Sequence, residues 1–308
     1  MWYDELNVAM TSRRQFLTTA FQASALAATS TLQAQAPAVS KRQLRKAIMG
    51  GTLGIKGTLI EKYQAAKAAG YEGVEPAGGM NQQEVIDALG KSGLQAASVC
   101  DHIHWVKPLS APDAATRQLG LDGLLHSLHD AHAYGATSVL LVPGIARDGV
   151  TYQQCFDRSI VEIRKAIPVA RDLGVKIAIE NVGNDFIQTP EQAVEYLDAI
   201  NSEWVGWHFD IGNEGRRGPA AEKWIPLLGQ RIVRLHIKDY SATPPAAVAG
   251  KAPPRPKLLD GDTQWPAVMA IIAEKIFPVE RLSVCRKPLF YPVEAGVPVI
   301  MPVVSNFR

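Results

Sequence analysis

Cysteine is scarce in this chain. Three occur among 308 residues, Cys100, Cys155 and Cys285, too scattered for a disulfide framework or a cysteine-based zinc site. An excess of either charge is also lacking. Thirty-two basic residues face 30 acidic ones and leave a net charge of +2, so no nucleic-acid partner and no charged tail is indicated. No apolar run reaches the roughly 18 residues that span a bilayer, which argues against a stable membrane anchor. No strand candidate runs into G-x-G-x-x-G or G-x-x-x-x-G-K-[ST], so dinucleotide and P-loop readings lose their main support. What is present is 47% hydrophobic and 20% charged, the balance of a globular, enzyme-sized protein. The length fits two average domains or one large α/β barrel of roughly 250 residues.

The N-terminus reads as an address. Ser12-Arg13-Arg14-Gln15-Phe16-Leu17 precedes a mildly apolar run over 18–32, then Ala34-Gln35-Ala36, an A-x-A cleavage pattern, and Pro37. This resembles a bacterial twin-arginine export signal. The resemblance implies the twin-arginine export machinery as a partner and a periplasmic or secreted location. An ordinary leader or a cytoplasmic helix is the plainer alternative. The export route carries folded proteins, often with a cofactor in place. The expected division is 1–36 as signal peptide, 37–277 as a barrel and 278–308 as an atypical, Pro-rich tail.

From Lys46 on, short apolar runs alternate with longer amphipathic ones. Strands are expected over 47–50, 73–75, 95–99, 138–142, 176–180, 205–210 and 232–238. Helices are expected over 58–69, 82–91, 114–134, 152–173, 190–200 and 219–228. Ala69-Gly70-Tyr71 and Leu173-Gly174 read as helix C-caps, and Thr189-Pro190 as an N-cap with Pro at the first helical position. Seven such β-α units imply a parallel sheet with helical crossovers. Strands apolar on both faces, seven or eight of them in about 260 residues, favour a closed barrel over an open sheet.

Catalytic residues in such a barrel sit at the C-terminal strand ends. Ionisable residues gather there: Glu75, His102 and His104 after the third strand, Glu180, Asp210, and His236 in Leu235-His236-Ile237-Lys238-Asp239. A carboxylate on an apolar strand is costly to bury unless it is paired or bound to metal. Glu180, Asp210 and His236 come from three consecutive strands, and oxygen and imidazole donors suit Mn, Mg, Co or Zn. Two readings stand: a divalent-metal or catalytic site, or a network of buried ion pairs. Lys238, one step above His236 on the same face, either reaches a substrate oxygen or pairs with a neighbouring carboxylate such as Asp239. His208, deeper on the strand of Asp210, reads as a hydrogen-bonded core residue. His126, His129 and His132 read as the surface of a long outer helix.

Five segments in this order resemble the sugar phosphate isomerase/epimerase family: Gly73-Val74-Glu75-Pro76, Ile179-Glu180-Asn181, Phe209-Asp210-Ile211-Gly212-Asn213, Leu235-His236-Ile237-Lys238-Asp239 and Gly261-Asp262-Thr263-Gln264-Trp265. The resemblance covers residues 45 to 276. It implies the xylose-isomerase-like TIM (β/α)8-type barrel, with Glu180, Asp210 and His236 as metal ligands. It implies that Glu180 is also the acid/base exchanging a proton with a sugar carbon through an enediolate. Glu75 and His102 are implied as substrate contacts, and Asn213 is a third candidate for that role. Asn213 stands where the family's ketose epimerases carry a substrate-binding His, and Ala242 where they carry an Arg. The family's fourth ligand, a Glu on strand eight, should fall near Cys285, and no Glu is there. Pro278, Pro288, Pro292, Pro298 and Pro302 exclude a final long helix. Strand eight and its helix are therefore expected to be atypical or missing. The Pro/Ala-rich stretch 241–257 reads as a lid or as a plain surface insertion.

The first functional reading is a metal-dependent isomerase or epimerase of a sugar or sugar derivative, with a small carbohydrate as its partner and Lys238 as a second catalytic candidate. An exported lyase or hydrolase of keto-glycosides would use the same site, and a catalytically degenerate sugar-binding barrel would bind without turnover. A barrel-type apurinic endonuclease needs more histidines than the seven present, and the low net charge counts against it too.

Overall fold

A computed structural model of the chain describes residues 45–215, 220–243, 256–275 and 283–286. The expected signal segment 1–36, most of the 241–257 stretch and the tail beyond 286 lie outside the described residues. All that follows belongs to the unit Gln43–Arg308.

The strands are β1 (Arg45–Met49), β2 (Gly73–Glu75), β3 (Gln95–Ala96), β4 (Val99–Cys100), β5 (Ser138–Leu141), β6 (Lys176–Glu180), β7 (Val205–Asp210), β8 (Ile232–Ile237) and β9 (Ser283–Arg286). They form one parallel sheet in the order β3-β2-β1-β9-β8-β7-β6-β5-β4. The two end strands, β3 and β4, are separated only by Ala97 and Ser98. They are two halves of one barrel strand, so the sheet closes as a (β/α)8 barrel. Contacts across the interior agree with closure: Arg234 on β8 donates to Ala97 O at 2.8 Å, although three strands lie between them in the sheet.

The helices are α1 (Leu59–Ala68), α2 (Gln82–Ser92), α3 (Ala114–Ala133), α4 (Tyr152–Leu173), α5 (Pro190–Ile200), α6 (Ile211–Glu214), α7 (Ala221–Leu228) and α8 (Trp265–Lys275). Their ends follow local chemistry. Thr58, Thr151 and Thr189 form capping boxes with Glu61, Gln154 and Gln192, and Pro190 stands at the start of α5. Gly93 and Gly174 close α2 and α4 in the left-handed conformation that glycine adopts without penalty. Strands β5 and β7 are buried at every position, as expected for strands covered by the barrel interior on one face and helices on the other. No helix of the described residues is long and apolar enough to cross a membrane.

The structure corrects one expectation and decides between the alternatives of another. The third barrel strand is interrupted rather than continuous over 95–99. The last strand, expected to be atypical or missing, is present and atypical: β9 pairs in parallel with both β8 and β1 and completes the barrel. It is atypical in reading Ser-Val-Cys-Arg, with Cys285 opposite His236 in register and no carboxylate. The loop after β8 is fastened at its base. Asp239 accepts from the backbone N–H groups of Tyr240, Leu259, Gly261 and Thr263 and from Trp265 Nε1. That carboxylate is the physical reason for the Gly261–Trp265 motif. Burial would raise its pKa, but these donors hold it below the usual carboxylate value.

Candidate metal centre and active site

Register brings the site together. Asp210 at the end of β7 lies opposite His236 on β8, and Glu180 at the end of β6 lies opposite His208 on β7. Glu180 Oε1 comes within 2.7 Å of His236 Nδ1, and Asp210 Oδ2 within 3.7 Å of the same nitrogen. All three side chains are buried, and their donor atoms lie within 4.8 Å of one another. A second group of the same kind, Glu75, His208 and His236, shares the histidine.

Asp210 is aimed by its own chain. Its Oδ1 accepts from Gly212 N and Asn213 N and so caps the short helix α6. Its Oδ2 is left for Lys238 Nζ at 2.7 Å. Burial would raise the Asp210 pKa, but the Lys238 ammonium and then His236 hold it well below the usual carboxylate range. Lys238 also donates to Asn213 Oδ1 at 2.5 Å. A side chain at Gly212 would press a Cβ to 2.5 Å from Lys238 Cγ and 2.6 Å from Lys238 O, so only glycine fits under that lysine.

Glu75 ends β2, fully buried. Its Oε2 lies 3.1 Å from His236 Nε2, and its Oε1 accepts from the Ser98 hydroxyl. Burial would raise its pKa, but His236 chiefly, with help from His208 and then Ser98, brings it to about 2.

Of the residues singled out by sequence, Glu75, Glu180, Asp210, His236, Lys238 and Asn213 form one connected cluster. His102 stands apart from the two donor groups. Its ring lies against Gly79 and edge-on to His126, with centroids 6.4 Å apart. The expectation of a hydrogen-bonded His208 is corrected: neither ring nitrogen finds a hydrogen-bond partner among the described residues, and the ring packs on His236 with centroids 4.0 Å apart. Burial holds its pKa well below the usual histidine value. His126, His129 and His132 are exposed on α3, with His126 paired to Asp130. Asn181 went unassigned by sequence. Its amide joins β6 to β7, accepting from Asp210 N and Trp207 Nε1 and donating to Asp210 O. Its place directly after Glu180 was the only signal.

The donor set fits a divalent cation. Two carboxylates and one imidazole converge in a buried place, where uncompensated charge is costly, and such donors suit Mn, Mg, Co or Zn.

Comparison with known proteins places the barrel in a family. Residues 63–286 match the family described as xylose isomerase-like TIM barrel. Curated L-ribulose-5-phosphate 3-epimerases from Salmonella paratyphi A and Salmonella enteritidis are 24% identical over 159 residues, 50% of this chain and 55% of theirs. The chain thus matches about half the length of those relatives. Among solved structures, a 3-keto-D-glucoside 4-epimerase from E. coli superposes with a TM-score of 0.65 at 15% identity, over 83% of this chain and 95% of that one. A D-tagatose 3-epimerase-like protein gives a TM-score of 0.66 at 16% identity, over 80% and 92%. The IolI protein, solved with a bound zinc atom, gives 0.62 at 17%, over 81% and 90%. At these identities the structures establish the shared fold.

Proposed function

The chain belongs to the xylose isomerase-like TIM barrel family, and on that premise we propose that it is a divalent-metal-dependent isomerase or epimerase of a sugar or sugar derivative. The observation that carries the proposal is the convergence of Glu180, Asp210 and His236, from three neighbouring strands, with donor atoms within 4.8 Å.

In this reading Glu180, Asp210 and His236 hold the metal. The ion they would hold would supply positive charge to polarise a substrate carbonyl. Glu180 would also serve as the base that takes a proton from the carbon beside that carbonyl, leaving an enediolate; returning that proton to the neighbouring carbon isomerises the sugar, whereas epimerisation needs a proton delivered to the opposite face by a second donor. Lys238 offers its ammonium to a substrate oxygen, and Asn213 fixes the lysine's position. The curated epimerase relatives support the reaction class.

One observation favours a second reading. The described part of the last strand, β9, brings no carboxylate to face Glu180. A site with one strong carbon base can remove a proton and expel a leaving group, the chemistry of a lyase on keto-glycosides. The export reading of residues 1–36 belongs to the proposal as well, and cell fractionation of wild type against Arg13→Lys/Arg14→Lys tests it.

The central test is metal content. Purified full-length protein should hold close to one divalent ion per chain by elemental analysis, lost in Glu180→Ala and in His236→Ala. Incubation with ketoses in D2O should then place deuterium on carbon in recovered sugar, whereas release of free aglycone from a keto-glycoside would select the lyase. A folded wild type that takes up no Mn or Zn would overturn the metal reading.

A further inference from the structure

We infer that Glu75 is a positioning residue that accepts the Nε2–H of His236 and so sets this chain's affinity for its metal. The inference deepens the metal reading proposed above and rests on it. It also replaces the substrate-contact role implied by family resemblance.

The argument starts from the imidazole. A neutral ring carries one N–H and one lone pair, and the neighbour of one nitrogen decides the state of the other. His236 Nδ1 faces Glu180 Oε1 at 2.7 Å and Asp210 Oδ2 at 3.7 Å. Those are the atoms that would surround a metal, so Nδ1 must present its lone pair there. Nε2 faces Glu75 Oε2 at 3.1 Å. A carboxylate can only accept from it, so the proton belongs on Nε2 and the lone pair on Nδ1. Carboxylate–histidine–metal relays of this form fix ring orientation and raise the ligand's basicity.

Glu75 is itself held. Its Oε1 takes the hydroxyl of Ser98, which lies in the break between β3 and β4. In the sheet, β1 and β9 separate β2 from β8, so the Glu75–His236 pair spans the barrel interior. The side chain has no solvent exposure, which suits a support better than a substrate contact. The alternative grouping of Glu75, His208 and His236 around a second ion would require His236 to bind through both nitrogens and give up its last proton. That cost disfavours two ions at once.

The test uses full-length protein loaded with Zn2+ or Co2+, in wild type, Glu75→Gln, Glu75→Ala and Ser98→Ala. Metal per chain is measured by elemental analysis, affinity by chelator competition, and the ligand field by the visible bands of the Co2+ form. The expected result is one ion per chain throughout at saturation. Affinity should fall about 10–100-fold in Glu75→Ala, less in Glu75→Gln, whose amide oxygen still accepts, and least in Ser98→Ala. The Co2+ bands should shift in the same order. Glu75→Gln is nearly isosteric and Ser98→Ala is mild, so the result survives a failure of Glu75→Ala to fold. Unchanged affinity across all variants would overturn the inference while leaving the metal reading intact. So would a KM change without a metal effect, or two ions in wild type falling to one in Glu75→Gln. A wild type that binds no metal would overturn both.

Discussion

Lys238 Nζ stands 2.7 Å from Asp210 Oδ2, the carboxylate oxygen that the cap of α6 leaves over. In the proposed metal site an ammonium and a metal ion would therefore share one ligand atom. Two positive charges within about 4 Å repel by about 4 kcal/mol at a dielectric near 20, and part of that must be relieved when metal binds. Lys238→Met should tighten metal binding about tenfold by chelator competition and cut turnover on a responsive sugar about 100-fold or more. Weaker metal binding in the variant would show instead that the lysine holds Asp210 in place.

Asn181 prepares Asp210 from the other side. Its amide satisfies both Asp210 N and Asp210 O, at 2.8 and 2.9 Å. Removing it strands two buried donors, Asp210 N and Trp207 Nε1, at about 1–3 kcal/mol each. Asn181→Ala should lower Tm by roughly 4–24 °C in the metal-free protein, using about 2–4 °C per kcal/mol for a domain of this size. A Tm within a degree of wild type would mean the strand ends hold without this amide.

Most of the barrel was legible because each signal is local. The runs 73–75, 176–180 and 205–210 are apolar and end in a carboxylate, and their strands have those bounds. Threonine caps and glycine C-caps marked the helix ends in the same way. What could not be read depends on distant partners. β9 is a four-residue strand amid prolines, made a strand by its neighbours β8 and β1. α6 is one turn held by the Asp210 cap, too short for any periodicity. The Glu75–His236 pair joins residues 161 positions apart, and only barrel closure reveals it. Strand parity gives the depth of His208 but not its hydrogen-bond partners, which it lacks among the described residues.

That histidine is itself a test. A buried polar group without partners costs about 1–3 kcal/mol, and an apolar replacement of similar shape relieves the cost. Both ring nitrogens of His208 are in that position among the described residues. His208→Leu should leave stability unchanged or raise it by about 1 kcal/mol in urea unfolding. A loss of about 2 kcal/mol or more would show that a bound water or ion satisfies the ring.

The loop after β4 holds two buried groups whose titrations oppose each other. Burial raises the Asp101 pKa to about 6 despite a hydrogen bond from Ile103 N. Burial chiefly, and then His102, lowers the His104 pKa to about 4. Between about pH 4 and 6 the folded Asp101 binds more protons than the unfolded one, so its contribution falls as pH rises. Folded His104 binds fewer protons than unfolded His104 from about pH 4 to 6.5, so its contribution rises with pH. Each spans about 3 kcal/mol at 1.36 kcal/mol per pKa unit, and together they nearly cancel. His104→Gln should expose the Asp101 slope, giving a protein that loses stability as pH rises from 4 to 6. Asp101→Asn should expose the opposite slope, with stability lost as pH falls from 6.5 to 4. Urea unfolding at a series of pH values checks both, and parallel curves in the two variants would show that this pair does not govern stability in that window.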